Sequence, residues 1–149
     1  MKLTRKVLHN KAKPWVFTGC DFQTQQMAKE MLQTMRKEKG IGLAAPQIGI
    51  SRRVFVMHVD QREFVCFNPE IIGSGSDLAD FDEGCLSFPG DSCNIKRPKD
   101  IRVRYRDAFG NIVEEHLEDL QARCFQHELD HLDGITMWDR YKEQNAEQS

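Results

Sequence analysis

The chain has 149 residues and 17.3 kDa, with 21 lysines and arginines against 23 acidic residues and a net charge of −2. With 40% apolar and 30% charged residues, it lacks both the low hydrophobicity and large net charge of a disordered chain and the basic excess of a dedicated nucleic-acid binder. No apolar run approaches the roughly 20 residues of a membrane span, and the length is that of one domain with a single core.

Lys2, Arg5 and Lys6 open the chain, and Lys11, Lys13 and Pro14 interrupt any apolar signal core. Secretion is therefore not expected, and a cytoplasmic, reducing compartment is. The five cysteines, Cys20, Cys66, Cys85, Cys93 and Cys124, are odd in number and form no C-x-x-C, so they read as reduced thiols rather than a disulfide framework. Most are expected to be small buried apolar residues.

Met27, Met31, Leu32 and Met35 recur at helical spacing and predict a helix over residues 21–39, with Gly40 as its C-terminal glycine. A small-residue loop from Gly40 to Gln47 follows. Residues 53–59 and 63–67 are β-rich, and Asp60-Gln61-Arg62 between them marks a hairpin. Asn68-Pro69 reads as a turn and residues 73–77 as a surface loop. In residues 101–106, Ile101, Val103 and Tyr105 alternate with Arg102, Arg104 and Arg106; a turn containing Gly110 leads to a returning strand at 112–117. The last clear element is a helix over about 119–133, ended by Gly134. Strands and helices that do not alternate regularly define an α+β fold. The expected architecture is small antiparallel or mixed sheets packed around this last helix as a central element, with the N-terminal helix beside them, in one domain spanning the chain.

That central helix contains His127-Glu128-Leu129-Asp130-His131, an H-E-x-x-H pattern. At about 3.6 residues per turn, positions i and i+4 stand one above the other, so both imidazoles can reach one metal ion. Glu128 lies roughly 100° round the helix, placed to address a water activated by that ion rather than to ligate it. On a helical wheel Leu120, Cys124, His127 and His131 share one narrow face, and Ala122, Phe125, Leu129 and Leu132 share a second, roughly opposite. A helix of this kind is buried on both sides, and buried histidines need partners. A third ligand is required. A histidine six residues after His131 is excluded, because that position is Met137. A downstream glutamate leaves Glu143 or Glu147, in a polar tail of poor geometry. Upstream lies Cys85 in Glu83-Gly84-Cys85-Leu86-Ser87; a thiolate with two imidazoles leaves the fourth tetrahedral position open, as catalysis needs.

Three segments together resemble the peptide deformylase family. They are Gly40 to Gln47, matching G-φ-G-φ-A-A-x-Q (φ, apolar); Glu83 to Ser87, matching E-G-C-L-S; and Gln126 to Gly134, matching Q-H-E-x-D-H-x-x-G. The similarity runs from about residue 21 to 140, and Phe88-Pro89-Gly90 resembles the type 1 branch of bacteria and plastids. The family's usual Pro-Asp turn is missing around residues 4–8. The resemblance implies a metal hydrolase that removes the N-formyl group from the N-terminal methionine of nascent chains and releases formate. By position, Cys85, His127 and His131 would hold one divalent metal ion, ferrous iron natively, with zinc, nickel or cobalt able to substitute. Glu128 would be general base and then acid, and Gln47 with the backbone N–H of Leu86 would form the oxyanion hole. Gly40, Ile41, Gly42, Glu83 and Gly84 are expected to meet substrate; from the helical wheel, Leu120 and Cys124 with the His127 ring are expected to line a tight apolar pocket for the methionine head.

Arg123 reads as a substrate-carbonyl donor or an edge-of-helix arginine. His9, His58 and His116 match no ligand spacing, and the Met27-Met31-Met35 series reads as core. An inactivating disulfide between Cys85 and Cys93 is conceivable under oxidation. Lys96, Arg97, Lys99, Arg102, Arg104 and Arg106 form a basic run that could meet ribosomal RNA; the favoured reading is an exposed strand face balanced by Glu114, Glu115 and Glu118. Many bacterial members end in a long ribosome-docking helix, whereas Trp138 to Ser149 is short, polar and poor in apolar periodicity. No DNA or membrane partner is expected, and the chain is expected to be a monomer. Competing readings are another H-E-x-x-H metallopeptidase, using Glu143 or Glu147, and an inactive nascent-chain-binding module.

Overall fold

A computed structural model describes residues 2–4, 9–19 and 21–146. Helix α1 (Asp21–Lys37) is followed by strand β1 (Gly42–Ala44), a single 3-10 turn (Ala45–Ile48), and strands β2 (Val54–Val59), β3 (Arg62–Ser74), β4 (Leu78–Cys85), β5 (Phe88–Pro98), β6 (Asp100–Arg106) and β7 (Ile112–Glu118). Helices α2 (Asp119–Leu132) and α3 (Met137–Asn145) complete it. The architecture is α+β. Five strands form an antiparallel sheet in the order β1-β2-β3-β6-β7, and β4 and β5 form a separate antiparallel hairpin.

Strand β2 explains the layering. Its sequence Val-Phe-Val-Met-His-Val is apolar at nearly every position, the pattern of a strand covered on both faces. Phe55, Met57 and Val59 enter the core under α2, with Ala122, Phe125 and Leu132, and the rings of Phe55 and Phe125 meet edge to face at 4.9 Å. Val54 and Val56 enter a second core under α1, with Met27, Met31 and Met35. Helix α2 is therefore clamped against the sheet by one face, which frees the other for chemistry.

The hairpin turn between β2 and β3 is at Asp60-Gln61, both with positive φ (55° and 64°), as a two-residue turn of matching twist requires. Strand β6 alternates buried and exposed residues as expected. On its exposed face Arg104 pairs with Glu114 at 2.6 Å and Glu70 at 2.9 Å, whereas Glu115, expected on that face, stands opposite Val103 on the other one and pairs there with Arg62 at 2.8 Å.

Several expectations need correction. Helix α1 ends at Lys37 rather than 39, and the left-handed residue that closes it is Lys39, with φ 59°, not Gly40. The N–H of Lys39 donates to Arg36 O and that of Gly40 to Met35 O, each at 3.0 Å, the paired closure of a helix end. Asn68-Pro69 is not a turn but a bulge within the long strand β3, where proline is tolerated. The Asn68 side chain there bonds the N–H and C=O of Trp15 at 2.8 and 3.0 Å. The presumed loop at 73–77 is partly strand, since β3 runs to Ser74. Strands β4 and β5 and helix α3 were not anticipated. Helix α3 starts on a reciprocal cap between Thr136 and Asp139 and packs Met137 and Trp138 onto Cys93, Ile95, Phe88 and Cys85. Cys20 and Glu147 lie outside the described residues.

Candidate metal centre

Two elements bring the site together. Helix α2 supplies His127, Glu128 and His131, with ring centroids of the two histidines 5.0 Å apart. The hairpin supplies Cys85 at the end of β4, just past a register shift after Gly84. Cys85 pairs with Phe88, so the chain reverses through Leu86 and Ser87, and this tight reversal carries the thiol toward α2. One donor atom from each of Cys85, His127 and His131 lies within 4.8 Å of the other two. Among the described residues no other such group of three exists. Glu143 is exposed and pairs with Arg140 at 3.3 Å, away from this cluster.

Sulfur and nitrogen ligands of a tetrahedral ion, bound at roughly 2.0–2.3 Å, stand roughly 3.3–3.6 Å apart. Cys85 Sγ is 3.3 Å from His131 Nε2, which fits. Glu83 holds His127 Nδ1 at 2.8 Å, leaving Nε2 as the free donor atom, the arrangement usual for a metal-bound histidine. His131 Nδ1 is buried without a hydrogen-bond partner. The donor set therefore suits a divalent transition metal such as iron or zinc.

The electrostatics follow from burial and neighbours. Burial opposes a charged His127, yet the Cys85 thiol and the Glu83 carboxylate outweigh it and raise the imidazole to about 10. Burial, reinforced by His127 and Arg97, holds His131 well below the ordinary imidazole range. Burial alone would raise Glu83, but hydrogen bonds from His127 and Arg97 lower its carboxyl to about 2. Burial pushes the Glu128 carboxyl up to about 7, and its Oε2 has no hydrogen-bond partner.

Gln47 sits in the 3-10 turn after β1. Its Oε1 accepts from the N–H of Ala44 at 2.9 Å, which sets the amide orientation. Its Nε2 donates to Cys85 Sγ at 3.3 Å and Ser87 Oγ at 3.2 Å, so the donor lies beside the metal cluster. A cavity of about 610 Å³ opens over these atoms. Gly40, Ile41, Gly42, Gln47, Glu83, Gly84, Cys85, Leu86, Leu120, Cys124, His127 and Glu128 all line it; His131 lies behind. A Cβ at Gly40 would come to 2.5 Å from Leu86 Cδ1 and one at Gly42 to 2.6 Å from Glu128 Oε1, so a side chain at either position has to displace that neighbour.

Two arginines are more deeply buried than a surface reading implies, and Arg123 also lines the cavity. Arg123 is buried, donating to Glu83 Oε2, Ile95 O (3.1 Å) and Ala79 O (2.5 Å), which makes it a clamp between α2 and the hairpin. Arg97, read as part of a basic surface run, is buried and binds both oxygens of Glu83 and Asp130 Oδ2. The signal for Arg97 lay only in a strand that sequence patterning did not reveal. The ligand-bearing cysteine is free, as are Cys66, Cys93 and Cys124.

A metal cluster of thiol and imidazoles, a buried carboxyl and an amide donor around one cavity define a mononuclear metallohydrolase. The family model described as Polypeptide deformylase matches residues 1–147. The chain is 45% identical over 136 residues to a peptide deformylase of Thermotoga neapolitana, covering 91% of this chain and 82% of that one. It is 43% identical over 146 residues to one from Picosynechococcus, covering 95% and 77%. Among solved structures, peptide deformylase from Thermotoga maritima superposes with a TM-score of 0.86 at 44% identity, covering 90% of each chain. That from Synechococcus elongatus, in complex with actinonin, gives 0.87 at 39% identity, covering 94% and 76%. The chain belongs to the polypeptide deformylase family, and its activity is deformylation of formylated nascent peptides.

Proposed function

We propose that Cys85, His127 and His131 hold one divalent ion, ferrous iron natively and replaceable by zinc, nickel or cobalt, and that Glu128, Gln47 and Leu86 carry the proton transfer and charge stabilisation. A bound ion supplies Lewis acidity, which makes water nucleophilic near neutral pH. Glu128 takes a proton from the attacking water as oxygen bonds to the formyl carbon. Negative charge then grows on the formyl oxygen, where Gln47 Nε2 and the Leu86 N–H donate hydrogen bonds. Glu128 returns the proton to the departing nitrogen as the carbon–nitrogen bond breaks, leaving formate and a free N-terminal amine. Gly40, Ile41, Gly42 and Gly84 receive the peptide backbone, and Leu120 and Cys124 receive the methionine side chain. Glu83 acts in the cavity wall, orienting His127 through Nδ1.

The observation that carries this reading is the buried Glu128 carboxyl, its Oε2 without a hydrogen-bond partner, beside the three-donor cluster. The test is formate release from an N-formyl-methionyl peptide by anaerobically prepared, iron-loaded protein. The wild type releases formate, Glu128→Ala does not, and Cys85→Ala fails to retain metal. No formate from the iron-loaded wild type would overturn the assignment. We also read the chain as a single catalytic domain, monomeric, in a reducing cytoplasm. No helix of the described residues is long and apolar enough to cross a membrane. A role for the basic run in RNA contact is not favoured, because Arg97 is buried and Arg104 is paired with two carboxylates.

A further inference from the structure

Helix α3 reaches the metal centre through a line of paired charges. Arg140 on α3 donates from Nη2 to Asp130 Oδ1 at 2.9 Å and from Nε to Oδ2 at 3.1 Å. Asp130 stands on α2, one residue before His131. Its Oδ2 also accepts from Arg97 Nη1 at 2.8 Å. Arg97 in turn donates from Nε to Glu83 Oε2 at 2.6 Å and from Nη2 to Oε1 at 2.8 Å. Glu83 Oε1 is 2.8 Å from His127 Nδ1. Asp130, Arg97 and Glu83 are buried, and Arg140 is two-thirds covered at 32% side-chain exposure. The far end of α3 is fastened too. The Gln144 amide accepts from the N–H of Lys96 and donates to its C=O, each at 2.8 Å, occupying the edge of β5 as a further strand would.

A guanidinium that grips a carboxylate with two parallel bonds fixes direction as well as charge. Removing Arg140 takes both of these bonds from a buried carboxylate. Asp130 then has Arg97 alone against its charge, and Arg97 is shared with Glu83. A buried ion that loses a partner is costly, so Arg97 is drawn toward Asp130 at the expense of its fork on Glu83. The Glu83 carboxylate then holds the His127 ring less firmly. We propose that Arg140 is a positioning residue for the deformylase reaction, orienting the His127 imidazole through Asp130, Arg97 and Glu83. The proposal rests on the reading of His127 as a metal ligand.

Cobalt tests it, because its visible absorption reports ligand geometry independently of turnover. Wild type, Arg140→Ala, Arg140→Lys and the exposed control Arg104→Ala are loaded with cobalt. Affinity is measured by chelator competition, formate release gives kcat and KM, and melting gives the metal-free Tm. Arg140→Ala is expected to weaken cobalt binding about tenfold, the lower end for loss of an outer partner. Its visible bands shift, and kcat falls about tenfold while KM stays within about twofold. Arg140→Lys keeps the charge without the fork and recovers part of the loss; Arg104→Ala changes nothing. A wild-type cobalt spectrum, affinity and kcat in Arg140→Ala overturns the proposal. So do losses shared equally by the Ala and Lys variants and proportionate to lowered Tm. If Arg140→Ala does not fold, Arg140→Gln is judged by the same readouts. Cys85→Ala separates the two ideas: retention of wild-type cobalt binding there would sink the ligand assignment itself.

Discussion

Gly42 shows how closely single residues are fitted at the site. Its backbone is extended in β1, a conformation any residue adopts, so the glycine is not needed for the chain's path. It is needed for space, because a Cβ would sit 2.6 Å from Glu128 Oε1 and 3.1 Å from Cys124 Sγ. Gly42→Ala should therefore leave the fold intact and displace the Glu128 carboxyl. A misplacement near 1 Å can cost about 10²-fold, so kcat for formate release should drop by roughly one to two orders of magnitude with Tm nearly unchanged. A variant with wild-type kcat would mean that Glu128 moves aside freely. The requirement for a small residue was legible in the Gly40–Gln47 motif, but its cause was not. The neighbour that excludes a side chain lies on a helix more than 80 positions away in the chain.

At the scale of elements, α2 and the β4–β5 hairpin contrast. Helix α2 announces itself because its burial is periodic: Phe125 and Leu132 face the sheet while His127 and His131 face the hairpin. The hairpin has no such signature. Most of β4 is exposed, β5 carries prolines near both ends, and only Cys93, Ile95 and Arg97 of β5 alternate into the interior, so the hairpin covers just a small core beneath α3. Helix α3 was hidden for a related reason, since its apolar contacts are confined to its first turn, Met137 and Trp138. Its start depends on the buried Thr136 cap. Thr136→Ala should cost about 1 kcal/mol, read as a Tm lowered by roughly 2–4 °C. An unchanged Tm would show that the ion pairs of Arg140 hold α3 without its cap.

Across the whole molecule, a bound ion would join parts that are otherwise linked by hydrogen bonds and ion pairs. Cys85 belongs to the hairpin and both histidines to α2, so a ligand to all three stabilises the folded state over the unfolded one. At a free metal concentration of about 1,000 times the dissociation constant this amounts to about 4 kcal/mol. Stripping the ion with a chelator under reducing conditions should lower Tm by on the order of 10 °C. Adding back metal should restore it in a concentration-dependent way. Cys85→Ala should melt near the chelated wild type and not respond to metal; a metal-dependent Tm in that variant would place the ion elsewhere.

Local spacing alone encodes part of the site. The histidine pair and Glu128 follow from the helical repeat over five residues, and the alternation of β6 follows from the strand repeat. The three motifs then named the remaining partners, Cys85 and Gln47, by resemblance. How those partners meet emerges only in the folded chain. Gln47 Nε2 lies beside the Cys85 thiol, Glu83 takes Nδ1 of His127, and a line from Arg140 through Asp130 and Arg97 ends on that carboxylate. The physical reason is that these contacts join residues far apart in the chain, through buried charges whose partners no local pattern specifies. Arg97 and Arg102 both belong to the same basic run; one is buried against two carboxylates and the other faces solvent.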